Sequence, residues 1–168
     1  GGRGLGVGDL FRVSGDVPVV LVGLLPQLGD TWFLLLVASS FYVAGDALPR
    51  LGTDRRQGLF VLALVIAYVA IIVVLKDVFS LPRPLGAGDP SGARWVPSTV
   101  DVFLTTADGS GFPSGHALGT TMVWGGLALV LDWGTGRVRF GFAGAVVAGV
   151  ALSRLALGVH YLIDVVAG

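Results

Sequence analysis

The sequence is divided into apolar stretches that carry no charged side chain and are separated by short polar segments. The stretches cover residues 31–45, 58–75, 113–131, 140–153 and 155–163. About 20 helical residues cross the ~30 Å hydrocarbon core of a bilayer, so the second and third stretches span most comfortably. The others need Arg or Asp side chains at their ends to reach the polar surface. This pattern predicts an all-α, polytopic transmembrane bundle of five to six helices, the last one cut short at residue 168.

The composition supports a membrane environment and excludes several other classes of protein. Charged residues make up 13% of the chain, against about 25% in a typical soluble domain. A soluble bundle of buried helices is the alternative, but four long stretches with almost no polar face leave little surface to contact water. The zero net charge argues against nucleic-acid binding. The absence of cysteine excludes disulfides and thiolate metal sites.

The length of 168 residues fits one domain, so residues 1–168 are predicted to form a single membrane-embedded domain. Residues 1–30 contain a short apolar segment, 17–28, interrupted by Gly23 and Pro26. This segment is either a broken first span or a helix lying in the membrane interface. Residues 85–112 have no helical or strand period and are predicted to form a long loop that covers the site or guides substrate.

Basic residues predict how the chain is oriented in the membrane. Arg50, Arg55 and Arg56 lie between the first two stretches, and Arg137 and Arg139 lie between the third and fourth. Short loops rich in Arg or Lys are usually cytoplasmic. The loop over 85–112 and the turn over 154–160 are then extracytoplasmic.

Small residues recur every fourth position along the fourth apolar stretch. They are Gly141, Ala145, Gly149 and Ser153. Such a stripe allows close approach of a neighbouring helix in a membrane, so it predicts a packing surface and no chemistry.

Two cations form the first polar motif, Lys76-x6-Arg83-Pro84. Lys76 ends an apolar stretch, and Arg83 follows after Leu81-Pro82 interrupts the helix. Two fixed cations suit an anion with several oxygens, and the planar guanidinium matches phosphate. The alternative role for this motif is anchoring at the membrane interface.

The second motif, Pro113-Ser114-Gly115-His116, is predicted to begin a helix, with Pro113 in its first turn. Ser114 and Gly115 expose backbone N–H groups, and the N-terminus of a helix favours phosphate. His116 is then available to give a proton to a leaving oxygen. The alternative is a helix cap followed by an interfacial histidine.

The third motif, Ser153-Arg154-x5-His160-x3-Asp164, is the most specific of the three. His160 and Asp164 are four residues apart and are predicted to share one helix face. A carboxylate in this position holds one ring nitrogen protonated and leaves the other as a nucleophile. Arg154 adds a third cation. A purely structural His–Asp pair is the alternative.

Together, in this order and on one predicted face of the membrane, the motifs resemble the signature of the type 2 phosphatidic acid phosphatase superfamily. That signature is Lys-x6-Arg-Pro, Pro-Ser-Gly-His and Ser-Arg-x5-His-x3-Asp, and every position matches. The resemblance implies a helical bundle, six-spanning in the membrane branch of the family. It implies that His160 forms a phosphohistidine, that Asp164 orients His160, and that His116 protonates the leaving group and then assists water.

The resemblance also implies a set of groups that hold the phosphoryl oxygens: Lys76, Arg83, Arg154, the Ser114 hydroxyl and the Gly115 amide. Three cations and a helix end provide the charge stabilisation that a metal would give, so neither a metal nor a cofactor is expected. The expected partners are membrane lipids and a lipid phosphate: phosphatidic acid, phosphatidylglycerol phosphate or a polyprenyl diphosphate. The motifs address only the phosphate, so they distinguish neither the lipid tail nor the oligomeric state.

The chain departs from the family in length, because only eight residues follow His160, where a sixth span is expected. Three other functions are alternatives. A vanadium-dependent haloperoxidase uses the same cations, but those relatives are soluble. A lipid phosphotransferase passes the phosphoryl group to an acceptor other than water. The third alternative is a non-catalytic membrane protein, such as a transporter or an assembly subunit, that retains the fold, but the complete signature of this chain argues against it.

Overall fold

The computed structural model describes residues 22–45, 54–87, 107 and 109–168. This part of the chain contains helices and no strands, which confirms the all-α prediction. A 3-10 segment over Leu25–Gly29 precedes the α-helices, which we number in chain order. They are α1 (Thr31–Ala44), α2 (Arg55–Phe79), α3 (Gly115–Val130), α4 (Gly136–Ala156) and α5 (Leu162–Ala167).

The apolar stretches and the helices do not have the same lengths. Helices α2 and α4 are long and apolar enough to cross a membrane, and Val22–Gly29 together with α1 forms a bent candidate span with a 54° break. The stretch over 113–131 was expected to span comfortably, but α3 has only 16 residues, about 24 Å at 1.5 Å per residue. Conversely, α4 has 21 residues because it includes Arg137, Arg139 and Arg154 at its ends.

The outer surface of the described residues is apolar. Large hydrophobic side chains such as Leu36, Ile66, Val73 and Leu129 are more than half exposed. A soluble protein rarely exposes so large an apolar area, whereas lipid solvates it. These side chains and the candidate spans identify the chain as an integral membrane protein.

Local sequence signals explain where the helices begin. The Asp54 side chain accepts a hydrogen bond from the Gln57 backbone amide at 2.8 Å, and the Gln57 side-chain oxygen accepts one from the Asp54 backbone amide at 3.0 Å. This reciprocal capping box satisfies two backbone donors at the start of α2. Thr135 caps α4 through the Val138 amide, and Ser114 caps α3 through the Ala117 amide. Pro113 therefore precedes the cap. The expectation that it lies in the first turn of α3 is wrong.

Close approach of two helices occurs at Gly58, where α2 packs against α1. A methyl group at Gly58 would lie 2.5 Å from Cα of Tyr42, so only glycine fits. The small-residue stripe on α4 makes no comparable contact. Nothing lies within 4 Å of a methyl group placed at Gly141, and Gly149 meets only the Leu25 side chain at 4.0 Å. The prediction of a packing stripe is therefore wrong for the described residues.

Helix α3 lies in the centre and packs against both α2 and α4, and successive helices run in opposite directions. This arrangement brings the C-terminal ends of α2 and α4 to the N-terminal end of α3. The first turns of α2 and α4, which carry Arg55, Arg56, Arg137 and Arg139, lie at the opposite ends of those helices. Arg50, residues 1–21, and residues 88–106 and 108 of the predicted loop lie outside the described residues.

Candidate active site

A cavity of about 210 Å³ opens where the C-terminal end of α2 meets the N-terminal end of α3. Five of the eight predicted site residues line it: Lys76, Arg83, Gly115, His116 and His160. Asp30, Thr31, Tyr68 and Ile72 complete the lining. All three motifs therefore contribute to one cavity, although they are separated by up to 84 positions in the sequence.

His160 lies in the segment that connects α4 to α5, and Asp164 lies in the first turn of α5. The prediction that the two share a helix face is wrong, because the chain turns at Gly158, where φ is 69°, before α5 begins. Their proximity has a different origin. Asp164 Oδ2 accepts a hydrogen bond from the Tyr161 amide at 2.9 Å and lies 3.6 Å from His160 Nδ1. The carboxylate thus caps α5 and faces the imidazole.

Arg83 contacts the other face of this histidine. Its Nη1 lies 3.1 Å from His160 Nε2 and donates a hydrogen bond to the Val159 carbonyl at 3.1 Å. Its Nε donates to the Gly109 carbonyl at 3.1 Å. A guanidinium can only donate, so the contact is a hydrogen bond when Nε2 carries the lone pair and Nδ1 carries the proton toward Asp164. The tautomer is assigned from these neighbours.

The surroundings of His160 keep its ring neutral. Burial, reinforced by the Arg154 and Arg83 charges and opposed by Asp164, lowers the pKa of His160 to about 4. A histidine with this pKa is a free base at neutral pH. The neutral ring has a lone pair available for nucleophilic attack.

Arg154, Ser114 and Asp164 are fully buried and do not line the cavity. Arg154 lies in the last turn of α4, and its charge acts on both imidazoles. Ser114 is held by two contacts: its amide donates to the Asp164 carbonyl at 2.8 Å, and its hydroxyl caps α3. Three of the eight predicted site residues therefore lie behind the cavity lining.

His116 occupies the first turn of α3 and contacts a residue that the motif analysis missed. Its Nε2 lies 2.8 Å from Oδ1 of Asp30, although the angle is not that of a good hydrogen bond. In the sequence Asp30 precedes an apolar stretch and has the pattern of an ordinary helix cap. No local signal distinguishes it from one.

Thr31 and Tyr68 were also missed by the motif analysis. The Thr31 hydroxyl and the Tyr68 hydroxyl lie 2.7 Å apart, and both residues line the cavity. This contact joins the start of α1 to the middle of α2. Both residues lie inside apolar stretches, where a hydroxyl is easily taken for a packing residue, so only the tertiary structure reveals their position.

Among the residues that the structure describes, no three His, Cys, Asp or Glu side chains are grouped so that they could hold a metal ion. The cavity instead combines two cations, two imidazoles and the N-terminus of a helix. This combination suits an anion with several oxygens.

Comparison with known proteins agrees with this chemistry. The sequence model of the PAP2 superfamily matches residues 57–168, about two thirds of the chain, and the match includes all three motifs. No curated protein and no solved structure shows significant similarity to the chain. Members of the matching family are phosphatases that act on phosphate esters. Because the family match covers most of the helical bundle and every residue of the signature, the chain belongs to the PAP2 superfamily.

Proposed function

We propose that this protein is a membrane phosphatase that removes a phosphoryl group from a lipid phosphate through a phosphohistidine at His160. The observation that supports this most directly is the shared cavity, since both histidines of the chain line it beside Lys76 and Arg83. We also propose that residues 1–168 act as one domain. The substrate is a phosphomonoester or diphosphate, with phosphatidic acid, phosphatidylglycerol phosphate and polyprenyl diphosphate as candidates.

In the first step, His160 Nε2 forms a bond to phosphorus while the bond from phosphorus to the leaving oxygen breaks. The positive charge that develops on the ring is stabilised by Asp164, whose Oδ2 lies 3.6 Å from Nδ1. His116 gives a proton to the leaving oxygen, so a neutral alcohol or a lipid phosphate departs. The protein now carries a phosphohistidine.

In the second step, water attacks phosphorus and the bond to Nε2 breaks. His116 is neutral after the first step and accepts a proton from the attacking water. Inorganic phosphate leaves, and His160 returns to its neutral form. Neither step changes the oxidation state of any atom, so the proposed reaction needs no redox cofactor.

The negative oxygens of the transferring group are held by cations and backbone donors. Arg83 and Lys76 line the cavity, and Gly115, the first residue of α3, lines it as well. Arg154 adds positive charge from behind, and Ser114 holds the start of α3 in position. Such preorganised charge is the main contribution to phosphoryl transfer, and we propose that it makes a metal unnecessary.

The lipid assignment follows from the surroundings of the cavity. It lies at the ends of helices whose outer surfaces are apolar, so a lipid can present its headgroup there while its tail stays in the bilayer. The Arg-rich first turns of α2 and α4 lie at the other ends of those helices. By the positive-inside rule, we propose that the cavity faces the extracytoplasmic side.

The experiment is a phosphate-release assay on the purified protein in detergent, over diacyl and polyprenyl phosphates, with and without chelator. Phosphate release that survives the chelator supports the proposal, and His160→Ala should abolish it. Asp77→Asn, an exposed change next to Lys76, is the control. Transfer of labelled phosphate to an added lipid alcohol would indicate a phosphotransferase. Full activity of His160→Ala would eliminate the phosphohistidine.

A further inference from the structure

We propose that Asp30 is a positioning residue for His116: its carboxylate orients the imidazole and stabilises the protonated ring that donates to the leaving oxygen. The proposal rests on the function proposed above and adds a residue that lies outside all three motifs. It starts from the 2.8 Å distance between Asp30 Oδ1 and His116 Nε2. Both side chains are largely buried, at 12% and 13% exposure, so water screens this contact only weakly.

The position of Asp30 follows from the way its segment packs against α3. Trp124 Nε1 donates a hydrogen bond to the Leu28 carbonyl at 3.0 Å. One residue later, a methyl group at Gly29 would meet the Thr120 hydroxyl, and would lie 3.1 Å from the His116 carbonyl. Asp30 then reaches His116. Positions 116, 120 and 124 are successive turns of one helix face, so residues 28–30 are anchored along it at three consecutive points.

Asp30 is the N-cap residue of α1, yet its carboxylate does not serve the helix. Its side chain makes no capping hydrogen bond, although aspartate is among the residues that cap most effectively. The carboxylate contacts the imidazole instead. Local stability of α1 therefore does not explain this orientation, whereas a role at His116 does.

Other charged and titratable groups also surround His116. They are Lys76 and Tyr68 from α2, Arg83 from the loop that follows α2, Arg154 from the last turn of α4, and His160 from the segment before α5. Three of these groups are cations, and a cation disfavours protonation of a neighbouring imidazole. Among the described groups near the ring, Asp30 is the carboxylate that opposes them. Neutralising it leaves His116 a weaker base and a poorly oriented acid.

The two active-site carboxylates then have matching tasks. Asp164 lies beside His160, the nucleophile, and Asp30 lies beside His116, the acid and base. The difference is in the other neighbours: Arg83 contacts His160 directly at 3.1 Å. Burial and the Arg154 charge lower the pKa of His116, and Asp30 opposes this shift. Asp30 therefore stabilises the protonated form of His116 against the other groups of the cavity.

The test compares Asp30→Asn, Asp30→Glu and the control Asp77→Asn in rapid-quench measurements of phosphoenzyme formation. An alkyl phosphate needs a proton on its leaving oxygen, while p-nitrophenyl phosphate does not. We expect Asp30→Asn to slow the alkyl substrate about 10- to 100-fold, typical of a carboxylate that orients a histidine. The p-nitrophenyl substrate should react within about threefold of wild type, and Asp30→Glu should recover most of the loss.

Two outcomes would overturn the proposal. Equal slowing of both substrates would show that Asp30 only maintains the fold. A change in KM with unchanged phosphorylation rates would show that Asp30 acts on substrate binding.

Ring ¹⁵N NMR on His160→Asn, in which His116 is the sole histidine, provides a readout independent of turnover. Adding Asp30→Asn to this variant should move the titration midpoint of His116 by about one pH unit or more to lower pH. This expectation does not depend on whether the wild type forms a phosphoenzyme. An unchanged midpoint would refute the Asp30–His116 coupling and leave the phosphohistidine proposal standing.

Discussion

Arg83 Nη1 lies 3.1 Å from His160 Nε2, the nitrogen that we assign as the nucleophile. In the proposed mechanism, the cation that binds phosphate and the lone pair that attacks it therefore lie side by side in the cavity. We propose that phosphoryl oxygens compete for the same guanidinium donors, so that substrate binding releases the lone pair of His160 toward phosphorus. Under this proposal, substrate binding and exposure of the nucleophile are coupled.

Replacing Arg83 tests that coupling. We expect Arg83→Gln to weaken binding of inorganic phosphate by about 1.5–3 kcal/mol, the usual contribution of a hydrogen bond to a charged group. The inhibition constant of phosphate provides the measurement. Arg56→Gln, an exposed arginine in the first turn of α2, is the control and should change the constant by less than about threefold. Equal effects of the two variants would contradict a specific role for Arg83.

The pKa of His160 can be measured directly. In His116→Asn, His160 is the only histidine, so its ring ¹⁵N signals titrate alone. We expect a midpoint near the value of about 4 that burial and the two arginines impose. Phosphoenzyme formation should then not decline through protonation of the nucleophile between pH 7 and pH 5. A midpoint close to 6.5, the ordinary value for histidine, would show that the ring is solvated.

The same pKa predicts how stability depends on pH. Between pH 6.5 and about 4 the unfolded chain binds a proton at His160 and the folded chain does not, so stability falls as the pH is lowered through this window. The full loss is about 3 kcal/mol, since one pKa unit corresponds to about 1.4 kcal/mol. Thermal unfolding in detergent at pH 7 and pH 4.5 measures it. His160→Asn lacks the group and should show a smaller decrease, and identical decreases would refute the prediction.

Two substitutions separate the two contacts of Asp164. Asp164→Asn keeps an oxygen that accepts the hydrogen bond from the Tyr161 amide but removes the charge beside His160. We expect the rate to fall about 10- to 100-fold with KM nearly unchanged. Asp164→Ala removes the cap as well and should cost about 1 kcal/mol of further stability. Steady-state kinetics and thermal unfolding test both expectations, and wild-type rates for Asp164→Asn would remove the carboxylate from the mechanism.

A pair of glycine substitutions tests the helix packing. Gly58→Ala should destabilise the fold by about 1–3 kcal/mol, because the new methyl group meets the Tyr42 backbone at 2.5 Å and the backbone cannot rotate away. Gly144→Ala adds a methyl group with nothing within 4 Å and should stabilise α4 by about 0.5–1 kcal/mol. Thermal unfolding of the two variants in one detergent gives the comparison. Similar shifts would contradict the close contact between α1 and α2.

Much of the architecture could be predicted from the sequence, because burial in lipid leaves a strong pattern. The apolar stretches predicted helices, and the structure has a helix over most of each of the first four. The fifth stretch, 155–163, is instead largely the turn between α4 and α5. Helix lengths were predicted less well. An uncharged stretch ends at the first charged residue, whereas α4 continues through Arg137 and Arg139 at one end and Arg154 at the other. The stretch over 113–131 is longer than its helix. Pro113 and Ser114 are uncharged and so belong to the stretch, but Ser114 caps α3 and the helix begins only at Gly115.

The sequence by itself determined the family of this protein, because the charged and imidazole groups of the three motifs keep their characteristic spacings along the chain whatever its fold. The tertiary structure alone decided which of these groups line the cavity and which lie behind its lining. It showed that Asp164 reaches His160 through the cap of α5, and that Asp30 reaches His116 because residues 28–30 lie along α3. These contacts depend on chain turns and on glycine-mediated close approach, which a one-dimensional spacing does not encode.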